Sequence, residues 1–296
     1  MKKRTGSFLI YAFMAILVFG CTTAYAAEHY QAEISPEYLR SDSDDNFRAI
    51  LAGFNAEMFF SSVDTADHPY AEAAFLERIG SVFTSAGRVD TKDDILKGDG
   101  IFYGAGINFT KPDFPLAIRA TYSATKIDYT EPATGDLKIS EYDIRAGYYF
   151  LHALLAGVEY AHTKRDFALA GFRSITDKRA DYGLFAKYVH ELRGGKELSL
   201  EGALGTNKFE DGTETLTNTR ESLSADYFFN RSLSAGIGIK YNSGKDRGTE
   251  GTTYSANVNA FITPMFSIKA VYERFLNSNN DQPGDRTIDV ALAARF

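Results

Sequence analysis

Apolar residues alternate with polar or small residues along nearly the whole chain, from about residue 29 to the C-terminus. Side chains two residues apart share a face of a β-strand, so this period of two predicts strands with one apolar and one polar face. Turn-forming residues separate successive runs. We predict fourteen strands, at 29–41, 47–60, 70–84, 98–110, 114–126, 137–150, 152–166, 178–191, 196–209, 217–229, 231–242, 251–263, 265–276 and 285–296.

The connections between these strands alternate in length. Connections from an even to the next odd strand are short, at 111–113, 150–152, 192–195, 230–231 and 264–265, with 61–69 as the exception. Connections from an odd to the next even strand are mostly longer, at 85–97, 127–136, 167–177, 210–216, 243–250 and 277–284. Short turns at one rim and long loops at the other are typical of outer-membrane barrels. The sequence therefore predicts an all-β fold, a single antiparallel transmembrane β-barrel with up-and-down topology.

The two faces of the predicted strands separate lipid-facing from lumen-facing positions. In the strand at 231–242, Leu233, Ile237 and Tyr241 share one face, and Ser234 and Lys240 share the other. A cation that faces the middle of the bilayer would cost about 2–4 kcal/mol, so the charged face must point into the barrel.

The strand at 70–84 fits this scheme poorly. One parity sends Glu77 outward and the other sends Glu72 and Arg78 outward, so a β-bulge is needed there. Among the loops, 84–98 is the segment that we expect to be able to fold into the barrel.

Charges of both signs fall on the predicted inner face in equal numbers, seven basic and seven acidic. One interpretation is that they pair across strands and stiffen the wall. The other is that they line a wet channel and set its ion selectivity. These candidate pore-lining residues are Arg48, Glu57, Arg119, Asp143, Arg145, Glu159, Lys187, Glu201, Asp226, Lys240, Lys269, Glu273, Asp289 and Arg295.

The first 26 residues predict export. Lys2, Lys3 and Arg4 precede an apolar stretch, and Ala24-Tyr25-Ala26 forms an A-x-A cleavage site, so 1–26 reads as a cleaved signal peptide before a 27–296 barrel. The pair Gly20-Cys21 leaves open a lipoprotein signal with an acylated Cys21. Cleavage after Ala26 removes the single cysteine of the chain.

Export also changes the charge. The formal net charge of the full chain is -7, and loss of three basic residues makes it -10, which disfavours nucleic acid as a partner. The predicted loops hold 18 acidic and 9 basic residues, so the negative charge collects at one rim. Asp42, Asp44 and Asp45 could bind Ca²⁺, but a solvated acidic hairpin explains them as well, and the spacing is not that of an EF-hand.

The C-terminal strand carries a second functional signal. Ile288, Val290, Leu292, Ala294 and the terminal Phe296 alternate outward up to the carboxylate, which resembles the C-terminal signal that the barrel-assembly machinery reads in outer-membrane proteins. Any final barrel strand would alternate in this way, so the distinguishing residue is Phe296.

One stretch resembles the general bacterial porin family of Gram-negative bacteria. Glu57-Met58-Phe59-Phe60 is followed by Val63-Asp64-Thr65, Pro69 and then 70–78, which reads YAEAAFLER. The resemblance covers the mature chain through strand number and loop rhythm, and it implies a passive channel. The chain departs from the family in having no Trp, so that Tyr and Phe alone must form the interfacial girdles, and in having Ala294 where an aromatic residue is frequent.

We therefore expect an outer-membrane porin, with no cofactor and no bound metal, that passes small hydrophilic solutes or ions by diffusion. Its expected partners are outer-membrane lipid, lipopolysaccharide and the assembly machinery, and homo-oligomer formation is left open. One alternative is a non-conducting barrel that acts as an anchor or a surface-binding protein. Another is a barrel hydrolase, although the sequence has no G-x-S-x-G, phosphate loop or H-E-x-x-H, and its five His are scattered.

Overall fold

A computed structural model describes residues 29–43, 46–93, 96–131, 134–171, 174–210, 215–243, 250–277 and 284–296. The predicted signal peptide, with Cys21, lies outside the described residues. None of the helices in the described part of the chain is long and apolar enough to cross a membrane.

Fourteen antiparallel strands form one closed barrel, as the alternation predicts. Each strand pairs with its sequence neighbours, and β1 closes the wall by pairing with β14, from Glu33 opposite Arg295 to Ser43 opposite Asp285. The strands are β1 (His29–Ser43), β2 (Arg48–Asp64), β3 (Ser81–Lys92), β4 (Lys97–Lys111), β5 (Phe114–Glu131), β6 (Gly135–Leu151), β7 (Leu154–Leu169), β8 (Ile175–Leu192), β9 (Lys196–Glu210), β10 (Thr215–Asn230), β11 (Leu233–Ser243), β12 (Gly251–Thr263), β13 (Phe266–Asn277) and β14 (Asp285–Arg295).

The outer face of the barrel is apolar and the inner face is polar. Large side chains such as Ile237, which is 70% exposed, and Ile262, which is 71% exposed, point away from the wall, where lipid would cover them. On the same strand as Ile237, Ser234 is buried on the inner side. A closed wall leaves no unpaired strand edge, which is the condition for placing backbone in hydrocarbon.

The two rims differ in their connections. The short-turn rim has the tight turns at 112–113, 152–153, 193–195, 231–232 and 264–265. The first and last strands of the barrel also meet at this rim, where the Gln31 amide donates to the Phe296 carbonyl at 2.6 Å. The long-loop rim is the opposite one. Several of its loops are shorter than predicted because the strands continue past the predicted boundaries. The predicted loop 127–136, for example, is largely the paired ends of β5 and β6.

The third strand was placed wrongly from the sequence. The strand predicted at 70–84 is instead β3 at Ser81–Lys92, and the loop predicted at 84–98 is mostly wall, since β3 and β4 pair out to Lys92 opposite Lys97. Residues 65–80, the inward segment, leave the wall and contain a short helix, α1 (Ala73–Leu76). Ala73 and Leu76 are buried at helical spacing, which explains why neither strand parity suited Glu72 and its neighbours.

The facing of β11 generates a testable pair of variants. Ile237→Arg places a cation against lipid at a cost of about 2–4 kcal/mol near the middle of the bilayer, so refolding should be impaired. Lys240→Glu changes a charge on the inner face and should fold normally. Heat-modifiable migration on a gel reports the folded fraction of each variant. Equal folded fractions would show that this strand faces the other way.

Candidate functional site: the barrel lumen

The inward segment crosses the mouth of the barrel at the short-turn rim. It leaves β2 after Asp64, whose carboxylate accepts the Ala66 amide at 2.8 Å. At the far side, the Tyr70 amide donates to the Arg231 carbonyl at 3.0 Å, in the turn between β10 and β11. The segment then returns to β3 past β8 and β6. Because its contacts reach strands on opposite sides of the wall, it spans the opening.

Two cations from the wall hold the middle of the segment. The Glu72 carboxylate lies 2.7 Å from the Lys187 ammonium of β8, and this pair is mostly buried. The same ammonium lies 4.7 Å from the centre of the Phe75 ring. From β14, the Arg295 guanidinium donates to the Tyr70 carbonyl at 2.8 Å. In each contact, a lumen-facing cation of the wall meets a group of the inward segment, which lies inside the barrel and not in a strand.

Arg78 fastens the end of the segment to the rim. Its guanidinium donates to the carbonyls of Leu151 at 3.0 Å and His152 at 3.1 Å, in the turn between β6 and β7. It also lies 4.3 Å from the centre of the Tyr149 ring. Arg78 has a left-handed backbone, with φ of 52°, which is uncommon for a residue other than glycine and reverses the chain after α1.

A small apolar cluster anchors the segment at its base. Tyr30, Phe59, Val63, Ala73 and Ile79 are all buried and pack together. The rings of Tyr30 and Phe59 meet edge to face, with centroids 5.3 Å apart. Since apolar burial at about 25 cal/mol per Å² favours this packing, the base of the segment is fixed, whereas its middle is held by polar contacts.

A chamber of about 420 Å³ lies between the inward segment and the wall. Its charged lining residues are balanced, four acidic against four basic, and Tyr, Phe and Ala side chains complete the wall. A second cavity of about 350 Å³ adjoins it and shares Glu33, Glu57, Asn108 and Arg119. The charged residues that line the chamber are Glu33, Glu57, Glu72, Glu201, Arg119, Arg145, Lys187 and Arg295.

Like charges sit side by side at two places in this chamber. Glu33 on β1 is directly opposite Glu57 on β2, and Arg119 on β5 is directly opposite Arg145 on β6. Arg295 lies 2.7 Å from Glu33, and the Ser81 hydroxyl donates to Glu57 at 2.5 Å. The chamber thus has an acidic side and a basic side, both of which can solvate a polar solute.

Further from the inward segment, acidic and basic side chains form a continuous network on the inner wall. Arg145 lies 3.3 Å from Glu159, which also pairs with Arg220. Arg220 is 4.0 Å from Asp181, and Asp181 accepts from Arg179 at 2.9 Å. Glu159 is buried and pairs with two arginines, so these pairs stiffen the wall, as one of the two interpretations of the inner charges expects.

Thirteen of the fourteen candidate pore-lining residues lie on strand positions that face the lumen, and their role in conduction stays a prediction. The chamber contains six of them: Glu57, Arg119, Arg145, Lys187, Glu201 and Arg295. The others are spread over the inner wall: Asp143, Glu159, Asp226, Lys240, Lys269, Glu273 and Asp289.

The placement of Arg48 is wrong. Arg48 shares its face of β2 with Phe54 and Met58, which are exposed on the outside, and it is directly opposite Asp42 of β1. The reason is physical: Arg48 lies near the end of β2 at the long-loop rim, where an outward charge can reach water beyond the hydrocarbon.

Several lumen residues were missed from the sequence. Glu33 of β1 and Arg220 of β10 share parity with predicted inner positions, so the alternation could have found them. Glu72 could not be found this way because it stands on the inward segment, whose fold into the lumen follows no strand period.

The C-terminal positions face outward as predicted. Ile288 is 47% exposed, Val290 37% and Phe296 38%, while Ala294 is fully buried beside its cross-strand partners Ile34 and Phe266. Leu292 is directly opposite Ile268 on the same outer face. Recognition of this strand by assembly machinery stays a prediction.

The carboxylate proposed as a Ca²⁺ ligand is engaged by cations. Asp42 accepts from Arg40 at 2.8 Å and from Arg48 at 3.0 Å. Asp44 and Asp45 lie outside the described residues. Within the described ranges, no group of three or more His, Cys, Asp or Glu side chains is arranged to hold a metal ion.

Solved structures of similar fold are outer-membrane barrels. The crystal structure of the outer membrane protein Omp33 from Acinetobacter baumannii has a TM-score of 0.58 and 18% identity, covering 91% of this chain and 99% of that one. A Pseudomonas aeruginosa FadL homologue has a TM-score of 0.51 and 8% identity, covering 90% of both chains. A deletion mutant of the monoaromatic hydrocarbon channel TodX has a TM-score of 0.51 and 8% identity, covering 95% and 94%.

At these identities the structures share the fold alone. The comparison with curated protein sequences found no match. A sequence profile of the family described as putative general bacterial porins matches residues 7–296, which is nearly the whole chain. The resemblance in the 57–78 stretch is thereby confirmed, and this chain belongs to that porin family.

Proposed function

We propose that this chain is a passive diffusion channel for small hydrophilic solutes and ions in the Gram-negative outer membrane. The observation that carries the proposal is the polar chamber, which holds charges of both signs inside a closed wall. Family membership supports an outer-membrane channel. Charges that face a sealed apolar interior would be costly, whereas a water-filled lumen hydrates them.

The barrel has the right size for a narrow pore. Eight-stranded barrels are filled by side chains, and barrels of sixteen or more strands hold an open aqueous channel, so fourteen strands leave intermediate space. Here part of that space is taken by the inward segment. The chamber beside it is large enough for ions and small solutes together with their water.

The inward segment sets the width of the proposed path at the short-turn rim. Its base at Ile79 is buried against Val63 of β2, and its middle is held by the Glu72–Lys187 pair and by hydrogen bonds to carbonyls. Hydrogen bonds to a charged group are each worth about 1.5–3 kcal/mol net. Loss of one such contact would therefore loosen the middle of the segment, while Arg78 and the apolar cluster keep it attached to the wall.

A measurement of unitary conductance in planar bilayers tests the channel. Purified wild-type protein should give discrete conductance steps in KCl. Glu72→Gln should increase the time spent in the widest state about ten-fold or more, as expected from the loss of at least about 1.5 kcal/mol of holding free energy. Lys240→Gln is the matched control, since it removes an inner charge outside the chamber lining. Absence of steps in correctly folded wild type would instead favour the anchoring or hydrolytic barrel.

Ion selectivity follows from where the charges lie. The chamber is balanced, and the segments that the sequence predicts as loops at the long-loop rim, which include strand ends, carry twice as many acidic as basic residues. Cations should therefore be weakly preferred, and the preference should fade as the Debye length falls from about 30 Å at 0.01 M to about 3 Å at 1 M salt. Reversal potentials in a KCl gradient, at low and high mean concentration, measure this. Anion preference at low salt would contradict the rim effect.

The orientation in the membrane is tested by labelling. Short turns are expected in the periplasm and the longer loops outside the cell. In a mature chain without cysteine, Ser243→Cys at the long-loop rim should react with an impermeant maleimide in intact cells, whereas Thr263→Cys at the short-turn rim should not. Lysed cells are the control, in which both should react. Equal labelling in intact cells would contradict this orientation.

A further inference from the structure

The outer face of five adjacent strands carries at least one cation each, and β3 carries both Arg88 and Lys92, with Asp90 between them. The cations nearest the long-loop rim form a row. In wall order these are Arg274 on β13, Arg286 on β14, Arg40 on β1, Arg48 on β2 and Lys92 on β3. Arg274 is directly opposite Arg286, and Arg48 is directly opposite Lys92. Like charges placed directly opposite each other destabilise a sheet, so this row needs an explanation.

Three of these arginines converge on one carboxylate. Asp42 is directly opposite Arg286 on one side and Arg48 on the other, and Arg40 precedes it by two residues on the same face. The Arg40 Nε lies 2.8 Å and its Nη2 3.0 Å from the Asp42 carboxylate oxygens. The Arg48 Nε lies 3.0 Å and the Arg286 Nε 4.0 Å from the same carboxylate. These three side chains and Asp42 form the arginine cluster.

The cluster has more positive than negative charge and is open to a ligand. The described residues of the cluster supply one carboxylate to three guanidiniums. Asp42 is only 15% exposed, whereas Arg40, Arg48 and Arg286 are 39%, 52% and 56% exposed. Asp42 therefore sits beneath the arginines and orients them, while the exposed parts of the three guanidiniums are accessible to a ligand outside the wall.

The height of the cluster on the barrel matches a lipid headgroup. Arg286 lies ten residues from Phe296 along β14, which is about 25 Å along the axis of a tilted strand, the height of the apolar band. Immediately below it, Ile288 is 47% exposed on the same face. The guanidiniums thus lie where hydrocarbon ends, at the level of the phosphates of a bilayer leaflet.

We propose that the arginine cluster binds a phosphate group of lipopolysaccharide in the outer leaflet. This inference rests on the orientation of the proposed channel, in which the long-loop rim faces the cell exterior. Guanidinium forks bind phosphate oxygens through two parallel hydrogen bonds, and a site at the edge of the bilayer strengthens the attraction. Neutralisation by phosphate also reduces the repulsion among the three arginines of the cluster.

The opposite side of the same barrel offers a matched control. Lys126, Lys138 and Lys164 lie on the outer face of β5, β6 and β7, also near the long-loop rim. Each has its own carboxylate, at 2.9 Å in Asp128, 2.9 Å in Asp136 and 2.7 Å in Asp166. Because this lysine row is neutralised one to one, it has little charge left for a phosphate.

Binding of fluorescent lipid A in detergent tests the site. The combined variant Arg40→Gln, Arg48→Gln, Arg286→Gln should bind bisphosphorylated lipid A about ten-fold more weakly than wild type, or worse. The combined variant Lys126→Gln, Lys138→Gln, Lys164→Gln should stay within about two-fold of wild type. Dephosphorylated lipid A should show no difference among the three proteins. Heat-modifiable migration confirms folding. If the arginine variant does not fold, the single variant Arg286→Gln tests the site instead, because the Arg286 guanidinium is 4.0 Å from Asp42 and contributes little to holding it.

Three results would overturn the proposal: equal weakening by both combined variants, no weakening by the arginine variant, or equally tight binding of phosphatidylglycerol micelles. The last would show a general phospholipid headgroup site. Conductance in KCl separates failure of the proposed channel from failure of the lipopolysaccharide site. The arginine variant should conduct like wild type, because the cluster lies outside the lumen. Labelling that places the long-loop rim in the periplasm would refute the lipopolysaccharide site while leaving a conducting channel possible.

Discussion

Closure of the backbone hydrogen-bond network is the constraint on which the rest of this structure depends. A strand edge exposed to hydrocarbon would leave amide and carbonyl groups without partners, at several kcal/mol each. Pairing of β1 with β14 removes that edge. Once the wall is closed, each residue must face either lipid or lumen, and the alternating sequence follows from this requirement. In a closed wall, each charged side chain must either face the water-filled interior or lie at the edge of the bilayer.

The interior charges and the inward segment depend on each other. Without Lys187 and Arg295, Glu72 and the Tyr70 carbonyl would lose these partners, and the segment would rely on its remaining contacts, among them those of Arg78 and the apolar cluster. Conversely, without the segment Lys187 would lose its carboxylate partner, whereas Arg295 would keep Glu33. Charges that stiffen the wall, such as the buried Glu159, instead pair with arginines of other strands, here Arg145 on β6 and Arg220 on β10. The two interpretations of the inner charges therefore apply to different residues of the same lumen.

The fold could be predicted from the sequence because its cause is local and repeats in every strand: side-chain alternation needs only neighbouring residues. The inward segment could not, because a short helix buried against distant strands leaves no periodic trace. Its apolar residues Ala73, Phe75 and Ile79 share one strand parity and imitate part of a strand, and the misplaced charges at Glu72, Glu77 and Arg78 signalled the error. The candidate site was thus predicted on its wall side, while the segment that completes the chamber was found only in three dimensions.

Arg48 shows where the rule of polar inside and apolar outside stops. The rule holds while an outward charge must enter hydrocarbon, and it lapses within one or two residues of the band's edge, where the head of an arginine reaches water or phosphate. Strand parity assigns Arg48 to the outer face. Its position along the membrane normal, near the long-loop rim, explains why a charge is tolerated on that face. Facing and height together therefore decide what a charged residue in such a barrel can contact: a guanidinium on the inner face can contact a solute in the lumen, and one on the outer face at the edge of the apolar band can contact water or a headgroup.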